Sequence, residues 1–235
     1  MEELKIAAWL HDVGKIVTPE HVIDKATKLE KKIDRIDLIR ARFQLIEAVL
    51  NNEHNLNKND PASKTADEKE SQRLDQVHQE QIEQLWQDFE FIQSCNDATD
   101  FMDDDTINRL NDIAKKEYDL NGQLFPYLEP DELENLCIRK GNLTGRERKI
   151  IEDHARVTRR ITDTLPFPDE LARVPEIAAS HHERPDGSGY PNGVPEDKLL
   201  IQSKILAIAD IFEALTAKDR PYRKPMTLSK AVKIL

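Results

Sequence analysis

The amino-acid sequence predicts an all-α fold. Apolar residues recur at three-, four- and seven-residue steps over long stretches without glycine or proline, which is typical of amphipathic helices. We find no stretch that alternates apolar and polar residues as a strand would, and no internal repeat. The 235 residues are 38% hydrophobic and 34% charged. This length and composition predict a soluble helical protein with a modest core, in one large domain or two small ones.

The first half of the chain predicts a short helix followed by a long helical hairpin. An apolar stripe near the N-terminus predicts a helix that ends at Gly14. Residues 26–54 and 68–95 predict two longer amphipathic helices. The polar stretch 51–63, which contains Pro61, predicts the turn between them. Two helices joined in this way form an antiparallel hairpin.

Two helix starts are marked by their sequence signals further along the chain. The acidic run 103–105 predicts a helix N-terminus, because carboxylates are favoured there, rather than a metal site. Thr144 and Glu147 match a capping box and predict a helix that continues to about Leu165. The prolines that follow Leu165 predict where this helix ends.

The C-terminal part predicts two more helices separated by a loop. A helix from about Asp169 is expected to carry His181 and His182 at its C-terminal end. Residues 184–195, rich in glycine and proline, predict the loop. Residues 198–218 predict a long apolar-rich helix.

Charge and cysteine content narrow the functional classes. Of the net charge of −11, the middle of the chain carries the excess: residues 51–140 contain 9 basic and 22 acidic side chains. This segment would repel nucleic acid, so we expect no nucleic acid polymer as a partner. Cys95 and Cys137 form no C-x-x-C pair. With no membrane-length apolar run and no signal-peptide pattern, we predict a cytoplasmic protein without a membrane span.

Histidines and carboxylates at separate points of the chain indicate a metal site. His181 and His182 are adjacent, and neutral imidazole is the commonest metal ligand in proteins. A carboxylate such as Asp12 can bridge two cations, and two close metal ions can activate a water for phosphoryl displacement. Mixed nitrogen and oxygen donors suit iron, manganese or zinc without ranking them. The candidate ligands are His11, Asp12, His154, His181, His182 and Asp210.

The candidate ligands and several glycines and arginines fall into short motifs. They are His11-Asp12-Val13-Gly14-Lys15, His181-His182-Glu183-Arg184 through Asp186-Gly187, Gly189-Tyr190-Pro191, Ala209-Asp210 through Thr216, and Asp219-Arg220-Pro221-Tyr222-Arg223. These motifs resemble those of the HD-GYP family, a subgroup of the HD superfamily of metal phosphohydrolases. The resemblance implies an HD-type helical bundle formed by residues 1–24 and 141–235. The acidic helical segment 25–140 is then an insertion.

The family resemblance also implies an activity and roles for residues. Family members hydrolyse cyclic di-GMP to pGpG, often on to GMP, and some act on related cyclic dinucleotides. The resemblance implies two or three divalent metal ions, with iron or manganese favoured, on the six candidate ligands. Asp12 and Lys15 would be catalytic, with Lys15 beside the scissile phosphate. Arg220 and Arg223 would bind substrate, and the loop Gly189-Tyr190-Pro191 would contact partner proteins.

Two departures from the family pattern leave alternatives open. The family has a further helix before the His-Asp motif, and in this chain only ten residues precede His11. We therefore expect a piece of a longer protein, with an upstream sensor or receiver domain and a metal site short of one ligand. The alternative function is a catalytically impaired module that binds ligand or partner proteins; an HD hydrolase of another phosphate ester is less favoured. The insertion could form a homodimer, relay a signal or be a solvated appendage.

Overall fold

The computed structural model describes residues 1–59, 68–97, 101–217 and 226–234. The chain divides into two compact units. Residues Met1–Asp24 and Gly145–Leu235 form the first, the split unit, and Lys25–Thr144 form the second, the inserted unit. Apart from one short β-hairpin, the regular structure of the described residues is helical, which confirms the all-α prediction.

Helices and one pair of strands make up most of the regular structure of the described residues. The helices are α1 (Glu2–Leu10), α2 (Glu20–Ile23), α3 (Ile36–Asn59), α4 (Glu68–Asn96), α5 (Asp104–Ala114), α6 (Pro130–Leu136), α7 (Gly145–Thr162), α8 (Val174–Ala179), α9 (Ile201–Thr216) and α10 (Leu228–Ile234). The strands β1 (Glu117–Leu120) and β2 (Gln123–Pro126) lie between α5 and α6. Short 3₁₀ turns span Val13–Val17, Asp169–Leu171 and Glu196–Lys198.

The predicted helical hairpin is confirmed in the inserted unit. Helices α3 and α4 pack together. They run in opposite directions, as shown by the contact of Arg40, early in α3, with Gln93, late in α4, and by the contact of His54, later in α3, with Asp75, earlier in α4. Their facing apolar residues are buried, as expected for two amphipathic helices. These core residues are Ile39, Phe43 and Ile46 on α3 and Leu85, Phe89 and Ile92 on α4.

The bounds of the first hairpin helix differ from the prediction. Residues 26–35 are irregular, so the predicted helical start was wrong. Glu30 accepts hydrogen bonds from the backbone N–H groups of residues 26 and 27, and Asp34 accepts one from Ile36 N at 2.9 Å. These side-chain bonds to the backbone compete with a helix over 26–35. At the other end α3 continues to Asn59, so residues 51–59 are helical; the rest of the predicted turn, residues 60–63, lies outside the described residues.

The β-hairpin was not predicted. Strands β1 and β2 pair antiparallel around Asn121 and Gly122, whose φ angles are 58° and 83°. An Asn-Gly pair is a strong signal for a two-residue hairpin turn, because both positions need a positive φ. The expectation of no strands was therefore wrong at this point. The predicted helix start at 103–105 is confirmed, since Asp103 caps α5 by accepting from Thr106 N at 2.8 Å.

In the split unit the helix α7 begins and ends close to the predicted positions, but the next helix is shorter than predicted. The 3₁₀ turn Asp169–Leu171 and the helix α8 replace one continuous helix, and α8 starts with Pro175 in its first turn. Proline is tolerated there but cannot continue a helix from upstream. Helix α8 ends at Ala179, so the predicted place of the adjacent histidines on the helix was wrong; they follow it in a turn.

A small apolar core positions the chemistry of the split unit. Helix α8 packs against both α1 and α9. The buried residues of this core are Ala7, Val174, Ile177, Ala178 and Leu206. The ends of α1 and α8 and the middle of α9 therefore lie close together, and each is next to a predicted metal ligand. Among the described residues, we find no helix with the length and apolar character needed to cross a membrane.

Candidate metal centre

A glycine allows the His-Asp turn to approach helix α7. A Cβ atom on Gly14 would lie 2.0 Å from the backbone oxygen of His154 and 2.6 Å from the backbone nitrogen of Thr158. Gly14 N donates to Thr158 Oγ1 at 3.0 Å, and this hydroxyl donates to the backbone oxygen of His11 at 2.9 Å. The buried Thr158 side chain thus fixes the turn to α7, a role that was not predicted from the sequence.

Three histidines share one hydrogen-bond pattern. In His11, His154 and His181, Nδ1 lies 2.7, 2.5 and 2.6 Å from a backbone carbonyl oxygen three residues earlier. A carbonyl oxygen only accepts, so Nδ1 carries the proton in each ring and donates it. This bond fixes the ring orientation and leaves the Nε2 lone pair free to bind a metal ion. The backbone therefore prepares three ligands of the same kind.

The free ligand atoms converge in two groups that share His181. Ligand atoms of His154, His181 and His182 lie within 4.8 Å of one another, and so do those of His11, Asp12 and His181. Asp12 belongs to the second group and also approaches the first, since its Oδ2 is 3.5 Å from His11 Nε2 and its Oδ1 is 3.4 Å from His154 Nε2. Asp210 Oδ1 is 3.7 Å from His11 Nε2. All six predicted ligands are thus close together.

The donor atoms at the centre of this cluster lack partners. Asp12 Oδ1, His154 Nε2 and His181 Nε2 are buried and accept no hydrogen bond from the described residues. Leaving a buried polar atom unsatisfied costs about 1–3 kcal/mol. A divalent cation would satisfy all three atoms at once, and mixed imidazole and carboxylate donors suit such an ion. The residues present therefore fit a metal centre.

The electrostatics of the histidine pair favour the neutral, ligating form. Burial lowers the pKa of His181 to about 4. Burial, followed by the neighbouring His181 and His154, lowers the pKa of His182 to about 3. Burial also lowers the pKa of His154. A metal ligand must be deprotonated, so at neutral pH these rings would not have to release a proton to bind an ion.

The carboxylates of the cluster are held in the charged form. The interaction with the His11 ring lowers the pKa of Asp210 to about 2, and Asp210 in turn raises the pKa of His11 against the effect of burial. Burial alone would raise the pKa of Asp12. Its net pKa is nevertheless lowered, because Lys15 Nζ lies 2.5 Å from Asp12 Oδ2. The ammonium of Lys15 therefore lies at the edge of the cluster.

The loop after the histidine pair is fixed by a buried glutamate. Glu183 accepts hydrogen bonds from Asn192 N at 2.7 Å and Val194 N at 2.8 Å. A Cβ atom on Gly189 would lie 2.3 Å from Arg184 N, so this position needs glycine. The loop places the half-buried Tyr190 ring against His182, with centroids 4.7 Å apart.

The positions of the described residues do not test every predicted role. Arg220 and Arg223 lie outside the described residues. The partner role of the Gly189-Tyr190-Pro191 loop stays a prediction. The anchoring roles of Thr158 and Glu183 were not predicted, although Glu183 directly follows the adjacent histidines in their motif. A buried threonine on a helix carries no signal of its own in a single sequence.

Comparison with known proteins places the chain in a family. The family model described as HD domain matches residues 111–235, which is more than half of the chain. The chain therefore belongs to the HD domain family, and the predicted resemblance to its HD-GYP subgroup is confirmed.

Similar proteins are known from bacteria. The chain is 40% identical over 97 residues to the 3'3'-cGAMP-specific phosphodiesterase 3 of Vibrio cholerae, covering 41% of this chain and 20% of that protein. It is 39% identical over 98 residues to a cyclic di-GMP phosphodiesterase of Thermotoga maritima, covering 42% and 26%. It is 32% identical over 103 residues to a cyclic di-GMP phosphodiesterase response regulator of Xanthomonas campestris, covering 43% and 23%. The matched part spans only about a fifth to a quarter of these relatives.

Proposed function

We propose that the split unit is a metal-dependent phosphodiesterase that hydrolyses a cyclic dinucleotide, either cyclic di-GMP or a related molecule such as 3'3'-cGAMP. The observation that carries this proposal is the set of buried, unpartnered donor atoms on Asp12, His154 and His181. The proposal is also supported by the names of the similar bacterial proteins. Linear pGpG, and GMP after a second cleavage, would be the products of cyclic di-GMP.

The proposed ligand roles follow from the two groups of donor atoms. His154, His181 and His182 would hold one ion, while His11 and Asp210 would hold a second. Asp12 would bridge the two ions, since its two oxygens face different histidines. Ions held there would activate a water molecule and stabilise the charge that develops during displacement at phosphorus.

Lys15 has the position of a substrate-binding group in this scheme. Its ammonium contacts Asp12 Oδ2, and its side chain remains 37% exposed. It can therefore bind a non-bridging oxygen of a phosphodiester that approaches the cluster from solvent. The hydrogen bond to Asp12 holds the ammonium there before the substrate arrives, so little reorganisation is needed in the transition state.

The proposal also covers the identity of the metal ions, the substrate contacts, the inserted unit and the location of the protein. The ions would be iron or manganese, two or three in number, and Arg220 and Arg223 would contact the substrate. The inserted unit would be an insertion into the HD core that serves assembly or regulation, with a homodimer as one form. The protein would act in the cytoplasm, downstream of a sensor or receiver domain.

The test measures metal content and turnover together. The chain is purified, loaded anaerobically with Fe²⁺ or Mn²⁺, and analysed for metal per chain; cyclic di-GMP and 3'3'-cGAMP are then assayed for linear products. We expect bound metal and linear dinucleotide. Lys15→Met should retain the metal and lose most turnover, because it removes a phosphate contact and no ligand. Lys5→Met, which removes an exposed lysine on α1, is the matched control and should behave like the wild type.

Two outcomes would count against the proposal. A chain that binds no metal at micromolar concentrations would contradict the assignment of the ligands. A chain that binds metal and cyclic dinucleotide but forms no linear product would instead support the alternative, a binding module without catalysis.

A further inference from the structure

A cavity of about 610 Å³ lies beside the histidine cluster in the split unit. It runs along the first half of α7, and it shares His154 with the proposed metal centre and Tyr190 with the loop that packs on His182. Its volume falls in the range of small-molecule sites. A substrate whose phosphate binds at the cluster can therefore extend a neighbouring group into this cavity.

The walls of the cavity suit a flat ring. Apolar side chains from three elements line it: the 3₁₀ turn after the His-Asp motif, the helix α7 and the loop after Gly189. These side chains are Val17, Ile150, Val157, Tyr190 and Pro191. An aromatic base can bury its faces against such walls, and its polar edge must then find hydrogen-bond partners.

One acceptor in the cavity has no partner among the described residues. Glu152 is half-buried and makes no hydrogen bond or ion pair with another described residue, whereas the neighbouring Asp153 is paired with Arg156 at 2.6 Å. An ionised carboxylate only accepts hydrogen bonds. Glu152 lines the same cavity as the Tyr190 ring. The free acceptor therefore borders the space that a base would fill.

The other polar groups of the cavity favour an anionic ligand. Arg146 and Lys149 lie three residues apart, hence on one face of α7, and neither has an ion-pair partner among the described residues. Thr18, which also lines the cavity, is 8% exposed, and its hydroxyl makes no hydrogen bond to the described residues. Two free cations beside one free acceptor match a nucleotide, which combines a phosphate with a hydrogen-bonding base.

We propose that Glu152 determines base specificity, by accepting hydrogen bonds from N1–H and the N2 amino group of a guanine in this cavity. The inference rests on the proposed function, because the guanine belongs to the cyclic dinucleotide at the metal centre. Adenine has a lone pair at N1 and no N2 amino group, so it would leave the carboxylate unpaired and repelled. A site built around a hydrogen bond rejects the analogue that lacks the matching group.

The test compares binding of three hydrolysis-resistant ligands to the metal-loaded protein: the phosphorothioate analogues of cyclic di-GMP, 3'3'-cGAMP and cyclic di-AMP. For the wild type we expect both guanine-containing ligands to bind at least about 10-fold more tightly than the cyclic di-AMP analogue. In Glu152→Gln this preference should fall by about 10-fold, because a glutamine amide can donate to adenine N1 and accept from its N6 amino group. Asp153→Asn is the matched control: it removes a carboxylate of the same cavity and should keep the wild-type ratio.

The outcomes separate the two proposals. An unchanged affinity ratio in Glu152→Gln, with wild-type hydrolysis intact, would overturn the role of Glu152 and leave the proposed function standing. Wild-type protein that holds metal but binds none of the three analogues would overturn both. A fall of the ratio in Asp153→Asn as large as in Glu152→Gln would show that cavity charge, and not the Glu152 contact, sets the preference.

Discussion

Each unit of this protein contains a close pair of imidazole rings, and the two pairs differ in what their nitrogens contact. His181 and His182 in the split unit have ring centroids 4.0 Å apart, and His54 and His78 in the inserted unit have centroids 4.3 Å apart. In the inserted unit Nε2 of each ring is hydrogen-bonded, to Asp75 Oδ1 at 2.9 Å and to Asn51 Oδ1 at 2.8 Å. In the split unit His181 Nε2 is buried and has no partner among the described residues.

This difference separates a candidate metal ligand from a surface side chain. The rings of the hairpin stack nearly parallel, 6° apart, and their hydrogen bonds are exposed. Such contacts between exposed groups contribute little to stability. The His181 side chain is 0% exposed. The hydrogen bond from its Nδ1 to the backbone orients the ring so that Nε2 points towards the other candidate metal-donor atoms. Proximity of two histidines therefore does not indicate a metal site unless their free nitrogens also lack partners.

The largest expected effect comes from the histidine shared by both groups of donor atoms. His181→Ala removes a ligand of the ion that His154 and His182 would also hold, so we expect loss of at least one metal ion per chain and a fall in metal affinity of at least about 100-fold. Metal analysis and isothermal titration of the metal-free protein measure this. His78→Ala, in the other pair, should leave metal content unchanged. Equal metal content in both variants would contradict the ligand assignment.

The pH dependence of stability should also distinguish the two pairs. The pKa values of His181 and His182 lie at about 4 and about 3 in the folded protein, below the ordinary value of 6.5. At a pH between the folded-state pKa values and the ordinary value, the unfolded chain therefore binds more protons than the folded protein. The free energy of unfolding then falls as the pH drops below 6.5. We expect the free energy of unfolding of the metal-free protein to be lower at pH 5 than at pH 7.

The matched double variants identify which pair causes this loss. Replacing His181 and His182 by Asn should reduce the difference between pH 5 and pH 7, because two of the buried groups with lowered pKa values are gone. Replacing His54 and His78 by Asn should preserve most of it. The same reduction in both variants would refute the assignment to the buried pair.

The helical periodicity predicted most of the fold, and its errors have local causes. The start of α3 and the strands β1 and β2 depend on short-range bonds, such as Asp34 to the backbone and the Asn121-Gly122 turn. An average over an apolar pattern does not detect these signals. The Asn-Gly pair was nevertheless visible in the sequence and could have predicted the hairpin.

The candidate ligands could be identified from their motifs, but the contacts that hold them in place could not. Residue type and order indicated His11, His154 and Asp210, because few other side chains bind metals. Nothing in a single sequence shows that the hydroxyl of Thr158 faces Gly14, since that contact joins residues 144 positions apart. The same limit applies to Glu152, because only the folded structure shows that it lines a cavity and has no partner among the described residues.

A smaller effect is expected where the His-Asp turn meets α7. Gly14→Ala places a methyl group 2.0 Å from a backbone oxygen, so the turn must shift. Overpacking of this kind costs about 1–3 kcal/mol, and we expect the upper end because the neighbouring atoms belong to the backbone. Hydrogen exchange of the α7 amides measures this loss for the split unit alone. Gly145→Ala, with no atom within 4 Å of the new Cβ, should leave exchange unchanged or slightly slower.

The smallest expected effect tests the hydroxyl that joins the turn to α7. Thr158→Val keeps the shape of the side chain but leaves Gly14 N and the His11 oxygen without their partner, which should cost about 1–2 kcal/mol in the exchange of α7 amides. Because His11 would be less well positioned, metal affinity should fall by about 10-fold. Thr164→Val, which removes an exposed hydroxyl just beyond the same helix, should change neither value. Wild-type metal affinity in Thr158→Val, despite faster exchange, would mean that the bridge stabilises the fold without orienting the His11 ligand.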